Sequence, residues 1–172
     1  MVDLNGRVAL VTGGGKGIGR GISSALAAAG AAIAVSYATD RSAAERTVAD
    51  IVGSGGRAVA VAGDVGNPDD VERLFERANG ALGPVDTLVN NAAIFSFQPF
   101  EDVTPSDFDR QYRTNVLGVF LTCQTFVKQL PGAGGSIVNI STSGTSNNAP
   151  GSALYTSAKG AITTLKIGRA HV

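Results

Sequence analysis

The sequence predicts an α/β fold, a doubly wound parallel sheet with helices on both faces. Three observations carry this. Short β-branched apolar runs alternate with segments of helical period along the 172 residues. A glycine-rich turn, Gly13 to Gly19, joins the first run to the first helical segment. The chain holds 23 glycines, which suits tight strand-to-helix turns. Strands separated by helix-length segments pair in parallel through right-handed crossovers.

Each element has a local reason. Arg7 to Thr12 is the first strand, and Ile18 to Ala29 carries apolar residues at helical spacing with Gly30 placed to cap it. Ala32 to Tyr37 is the second strand. Ser42 to Val52 is a helix stopped by Gly53-Ser54-Gly55-Gly56, and Ala58 to Ala62 is the third strand. Asn67-Pro68-Asp69-Asp70 opens a helix that runs to about Ala78. Asn67 caps it, Pro68 fits the first helical position, and the acids favour the positive helix end. Thr87 to Asn90 is the fourth strand. Thr104-Pro105-Ser106-Asp107 opens a long helix to about Lys128, Ser136 to Ile140 is the fifth strand, and Ala153 to Lys166 is the last helix.

Composition narrows the function. Fourteen basic and fourteen acidic side chains cancel, so the clustered positive excess of a nucleic-acid binder is missing. No apolar run has the length of a membrane span, and the N-terminus lacks the basic head and apolar stretch of a signal peptide. Cys123 is the sole cysteine, which fits a cytoplasmic protein and a buried small residue rather than a reactive thiol. One histidine and one cysteine cannot build a His/Cys zinc cluster.

The turn Thr12-Gly13-Gly14-Gly15-Lys16-Gly17-Ile18-Gly19 fits a dinucleotide. Gly13, Gly15, Gly17 and Gly19 let backbone approach a pyrophosphate, and the helix that starts near Ile18 offers free N–H groups. The end of the second strand selects the phosphate state of the adenosine ribose. NAD sites place an acid there, whereas this chain has Tyr37. Lys16 and Arg41 can neutralise a 2′-phosphate, so NADP is expected in preference to NAD; Asp40 is the alternative acid if the register shifts by three.

With these residues in place, the chain resembles the short-chain dehydrogenase/reductase family, from about Leu4 to about Lys166. Thr12-Gly13-x-x-x-Gly17-x-Gly19 matches the family's cofactor loop. Asp64-Val65 matches its adenine-contacting pair. Asn90-Asn91-Ala92-Ala93 matches Asn-Asn-Ala-Gly with Ala93 for glycine. Asn115 matches the asparagine of the catalytic set, and Tyr155-Thr-Ser-Ala-Lys159 matches Tyr-x-x-x-Lys. The resemblance implies a Rossmann-like fold that binds NADP(H) and acts on a carbonyl or secondary-alcohol substrate. It does not choose among 3-oxoacyl thioester reductases, sugar dehydrogenases and steroid dehydrogenases, and the apolar, Phe-rich stretch Phe95 to Phe100 leans towards the acyl or small-ketone reductases. It also implies that the long helix from Thr104 and the Tyr155 helix form the main contact of a homo-oligomer.

The chemistry follows from spacing. Residues at i and i+4 share a helix face, so Lys159 sits beside Tyr155 and its charge is expected to lower the phenol's pKa. Tyr155 then serves as general acid in reduction and general base in oxidation. By resemblance, Lys159 also holds the nicotinamide ribose and Asn115 supports a water relay. The family's carbonyl-polarising serine falls at Thr142; Ser143 and Ser141 are neighbours that can take the role or serve the backbone.

The fold reads as incomplete on its C-terminal side, with five strands where six are usual. Residues 1–166 are expected to be the dinucleotide-binding catalytic domain. Ile167 to Val172 leaves the helix's apolar rhythm and back-translates as ATC-GGA-AGA-GCA-CAC-GTC, which resembles a sequencing adapter. Residues 167–172 are therefore expected to be a foreign tail, with no catalytic role for His171. The alternative function is a dinucleotide-binding module without turnover.

Overall fold

A computed structural model describes residues 3–130, 134–147 and 149–165. Lys166 and the expected tail at 167–172 lie outside the described residues. Five parallel strands form one sheet in the order β3-β2-β1-β4-β5: β1 Val8–Val11, β2 Ala32–Tyr37, β3 Ala58–Ala62, β4 Thr87–Asn90 and β5 Ser136–Asn139. The strand order reverses between β1 and β4, where a crevice opens at the carboxyl ends of the strands. Register puts Val11 beside both Val35 and Val89, which aligns those ends.

Alternation along each strand feeds two cores. Val8, Leu10, Ala32, Ala34 and Leu88 face one layer with Leu74, Phe75, Cys123 and Phe126. Ala9, Val11, Ile33, Val35 and Val89 face the other with Ala44, Ile51, Ile22 and Leu26. The first layer holds α3 (Pro68–Leu82), α5 (Gly118–Gln129) and part of α6 (Ala153–Thr164), and the second holds α1 (Gly17–Ala28) and α2 (Arg41–Gly53). Val138, which pairs with Val89 in register, is 47% exposed on edge strand β5. Cys123 is buried, as expected, and burial pushes its thiol up.

Three expectations shift. The third helix continues to Leu82, because Gly80 is tolerated inside it and the turn out comes at Gly83, φ +99°. The long helix is broken into α4 (Pro105–Tyr112), a π-helical turn over Arg113–Leu117, and α5. The last helix ends at Thr164.

Candidate active site

The β1–α1 turn is built to receive an anion. Asp40, Asn67 and Thr104 cap α2, α3 and α4 through their side chains. Lys16, at the same position before α1, makes no such bond, and the first turn of α1 carries no acid. Its N–H groups are left for a ligand. Gly17 stands at φ +53°, and a Cβ there would meet nothing within 4 Å, so it would project into open space. A Cβ on Gly19 would instead strike the Gly13 carbonyl and the Asn91 amide. The turn is thus closed towards the protein and open towards the cleft, which fits a pyrophosphate.

A clamp holds that turn against β4. The buried Thr12 hydroxyl accepts from Asn91 N–H and Ala92 N–H, each at 3.0 Å, and donates to the Val89 carbonyl at 3.3 Å. Asn91 Nδ2 donates back to the Thr12 and Gly13 carbonyls at 2.9 and 3.1 Å.

Above the clamp lies a cavity of about 860 Å³. Its lining brings together Gly13, Gly15, Lys16, Gly17, Ile18 and Gly19 from the turn and Tyr37 from the end of β2. Asp64 and Val65 come from beyond β3, Asn91 and Ala92 from beyond β4, and Tyr155 and Lys159 from α6. These residues span up to 146 positions of the chain, from Gly13 to Lys159, and share one wall system because the strands are parallel and their ends are level.

Lys159 is 3% exposed and its Nζ donates to the Ile140 carbonyl at 2.7 Å. That Nζ lies 6.0 Å from the centroid of the Tyr155 ring. Burial raises the Tyr155 pKa above its usual value and lowers that of Lys159. The expected lowering of the tyrosine pKa is therefore corrected. Desolvation dominates because the ammonium is engaged with the Ile140 carbonyl and the phenol is half-buried.

Five expected residues do not reach the cavity. Asn90 is buried between strands, donating to Asn139 Oδ1 at 2.9 Å and accepting from Thr122 at 2.7 Å. Asn115 is fully buried in the π-helical turn, where its side chain accepts from Ile94 N–H and donates to Ile94 C=O at 2.9 and 2.8 Å. With both amide groups bonded there, it clamps the loop rather than facing a ligand. Arg41 turns to Glu45 at 2.7 Å. Thr142 caps the short 3-10 turn Ser143–Thr145 through Gly144 N–H, and Ser143 is exposed on that turn. Ser141 does line the cavity, but its hydroxyl bonds Thr163 at 2.6 Å and the Lys159 carbonyl at 3.3 Å.

Others were missed. Ile94, Phe95, Gln111 and Thr114 line the cavity. Ile94 and Phe95 directly follow the Asn-Asn-Ala-Ala motif, and Gln111 precedes Asn115 by one helical turn; both offsets were readable. Gln111 is 2% exposed, and its Nε2 has no hydrogen-bond partner among the described residues. At the far end, Asp40 lines the cavity, caps α2 through Ala43 N–H at 3.1 Å and pairs with Lys16 at 3.6 Å. The Ala43 N–H first, with Ser42 and Lys16, holds its carboxyl low.

Among the described residues, no group of His, Cys, Asp or Glu could hold a metal, and no helix is long and apolar enough to cross a membrane. A family profile described as short chain dehydrogenase matches residues 7–170. An uncharacterized oxidoreductase of Methylorubrum extorquens is 43% identical, with 94% of this chain and 65% of that protein covered. A versicolorin reductase of Emericella nidulans is 41% identical over 94% of this chain and 61% of its own. A short chain dehydrogenase of Burkholderia cenocepacia, solved in complex with NADP, superposes with a TM-score of 0.87 at 36% identity, covering 92% of this chain and 65% of that one. The chain thus spans less than two thirds of the length of each. With a five-stranded parallel sheet, a glycine turn at its switch point and a profile match across nearly the whole length, the chain belongs to the short chain dehydrogenase family.

Proposed function

We propose that this protein transfers hydride between NADP(H) and a carbonyl or secondary-alcohol substrate, with Tyr155 as general acid/base. The observation that carries the proposal is the shared cavity: the uncapped α1 turn forms one part of its wall, and Tyr155 and Lys159 another. When bound, NADPH supplies the hydride. The carbonyl carbon gains it, the C=O π bond breaks, and the oxygen takes the Tyr155 proton. The ketone is reduced and the nucleotide oxidised. A raised tyrosine pKa keeps the phenol protonated at neutral pH, the form that donates. Lys159, whose Nζ donates to the Ile140 carbonyl, would bond ribose hydroxyls beside the phenol. At the adenosine end, Tyr37 occupies the position of the NAD-selecting acid, and Lys16 can exchange Asp40 for a 2′-phosphate.

The test is twofold. NADPH should bind more tightly than NADH, read by quenching or enhancement of nicotinamide fluorescence. Tyr155→Phe should keep that binding while losing ketone-dependent NADPH oxidation by about 10²-fold or more, the scale of a positioned proton donor. Equal activity of the variant would remove Tyr155 from the reaction.

A second reading is a dinucleotide-binding module without turnover. One observation favours it: neither Thr142 nor Ser143 lines the cavity, and the Ser141 hydroxyl is already bonded. Tight NADPH binding with no ketone-dependent oxidation by the wild type would support this reading.

A further inference from the structure

The segment between β4 and α4 is stapled at both ends beside Tyr155. At one end Asn115 bonds both the N–H and the C=O of Ile94. At the other, Gln98 N–H donates to the Gly151 carbonyl at 3.1 Å, and Gln98 Nε2 donates to Asp107 at 3.3 Å. Gly151 stands at φ +75°, and a Cβ there would press on the Gln98 backbone at 3.2 Å. The loop entering α6 and the stapled segment therefore meet backbone to backbone.

Between the staples the chain holds up two aromatic rings. Phe95 is 67% exposed, yet it makes two edge contacts with other rings. Its centroid lies 5.9 Å from that of Tyr155 at 61° and 5.8 Å from that of Phe97 at 81°. Phe95 lines the cavity with Tyr155, whereas Phe97 does not. A large apolar ring kept exposed on a fixed ledge, in edge contact with the reacting phenol, is poorly explained by core packing. As a lining residue of the same cavity, Phe95 borders the space that a carbonyl bonded to Tyr155 must share.

Resting on the reading of Tyr155 as proton donor, we infer that Phe95 is a specificity-determining residue that selects ketones bearing an aryl group next to the carbonyl. A flat ring beside Phe95 completes an offset or edge-to-face pair, which a saturated ring of similar size cannot do. The reaction is unchanged: hydride from NADPH to the carbonyl carbon, proton from Tyr155 to the oxygen.

The matched probes are acetophenone and cyclohexyl methyl ketone, which share a carbon skeleton and differ in aromaticity. Their dissociation constants are measured by NMR titration of the 172-residue chain, with and without NADP⁺. The wild type should prefer acetophenone by about tenfold, equivalent to about 1.4 kcal/mol. Phe95→Leu should bring the two ketones within about twofold of each other, while Phe97→Leu should keep the preference. No preference in the wild type, or a preference that survives Phe95→Leu, would overturn the assignment. Failure of the cofactor reading shows separately, as wild type that binds no NADPH, because the titration without nucleotide still reports on the ledge.

Discussion

Thr12→Val tests the clamp that fixes the dinucleotide turn. Valine keeps the shape of threonine and replaces its hydroxyl with a methyl. Three hydrogen bonds are lost: acceptance from Asn91 N–H and Ala92 N–H, and donation to the Val89 carbonyl. The Val89 carbonyl keeps the Thr12 N–H at 3.0 Å, so that loss costs little. The two stranded N–H groups decide the magnitude. Each unsatisfied buried donor costs about 1–3 kcal/mol, and these two are half-buried, which sets the sum at about 2–3 kcal/mol. Urea unfolding should show the midpoint falling by about 1 M with the slope unchanged. NADPH affinity should fall in step, because Asn91 ties the turn to β4 through the same joint. Thr12→Ser, which restores the hydroxyl, should recover most of both. A loss below about 0.5 kcal/mol would refute the reasoning, since the two N–H groups would then be satisfied without Thr12.

Lys159→Met should raise stability at neutral pH by removing a buried cation. The folded pKa of Lys159 is lowered, so between that value and the unfolded value of about 10.4 the unfolded chain binds more protons and wild-type stability rises with pH. The variant's advantage should shrink across that window in melts from pH 7 to 10; parallel profiles would contradict the assignment. Gln111→Leu should raise stability by about 1 kcal/mol, shifting the melting temperature by about 2–4 °C, because it deletes an amide nitrogen that has no partner among the described residues. A lower melting temperature would mean that the amide is satisfied in solution. Tyr37→Asp should cut NADPH affinity by about tenfold or more and favour NADH, because a carboxylate there repels a 2′-phosphate and accepts from a 2′-hydroxyl. An unchanged ratio of the two dissociation constants would place the ribose elsewhere.

Much of the scaffold was legible because its signals are local. β2, β3 and β4 have the bounds their apolar runs implied, and Asn67-Pro68 and the Thr104/Asp107 capping box start helices where they were read. The π-helical turn was not legible. The apolar rhythm of Val116, Val119, Cys123 and Phe126 continues past it, so a one-residue widening leaves no mark on periodicity. The reversal of the tyrosine pKa direction was hidden for another reason. Spacing places Lys159 on the face of Tyr155, but only the fold shows that Ile140 takes its ammonium and that the phenol sits half-buried. Thr142 follows from the family resemblance, and a match of positions cannot see that the hydroxyl caps a 3-10 turn.

The residues that left their expected places share a feature. Asn90, Asn115 and Thr142 are polar side chains spent on other protein groups. Motif spacing marks them as strongly as it marks Tyr155, because a clamp depends on position as much as a reacting group does. Their bonds run between the loops at the carboxyl ends of the strands. Thr12 ties the β1 turn to the residues after β4, Asn115 ties those residues to the helix, and Lys159 ties the last helix to the end of β5. Among the described residues the Tyr155 hydroxyl has no such tie; its ring meets Phe95 edge-on and lies 6.0 Å from Lys159 Nζ. The division is physically sensible. In the proposed reaction the proton donor needs its hydroxyl free for a substrate, and it can be free only if the groups around it are held by bonds that the substrate does not have to break.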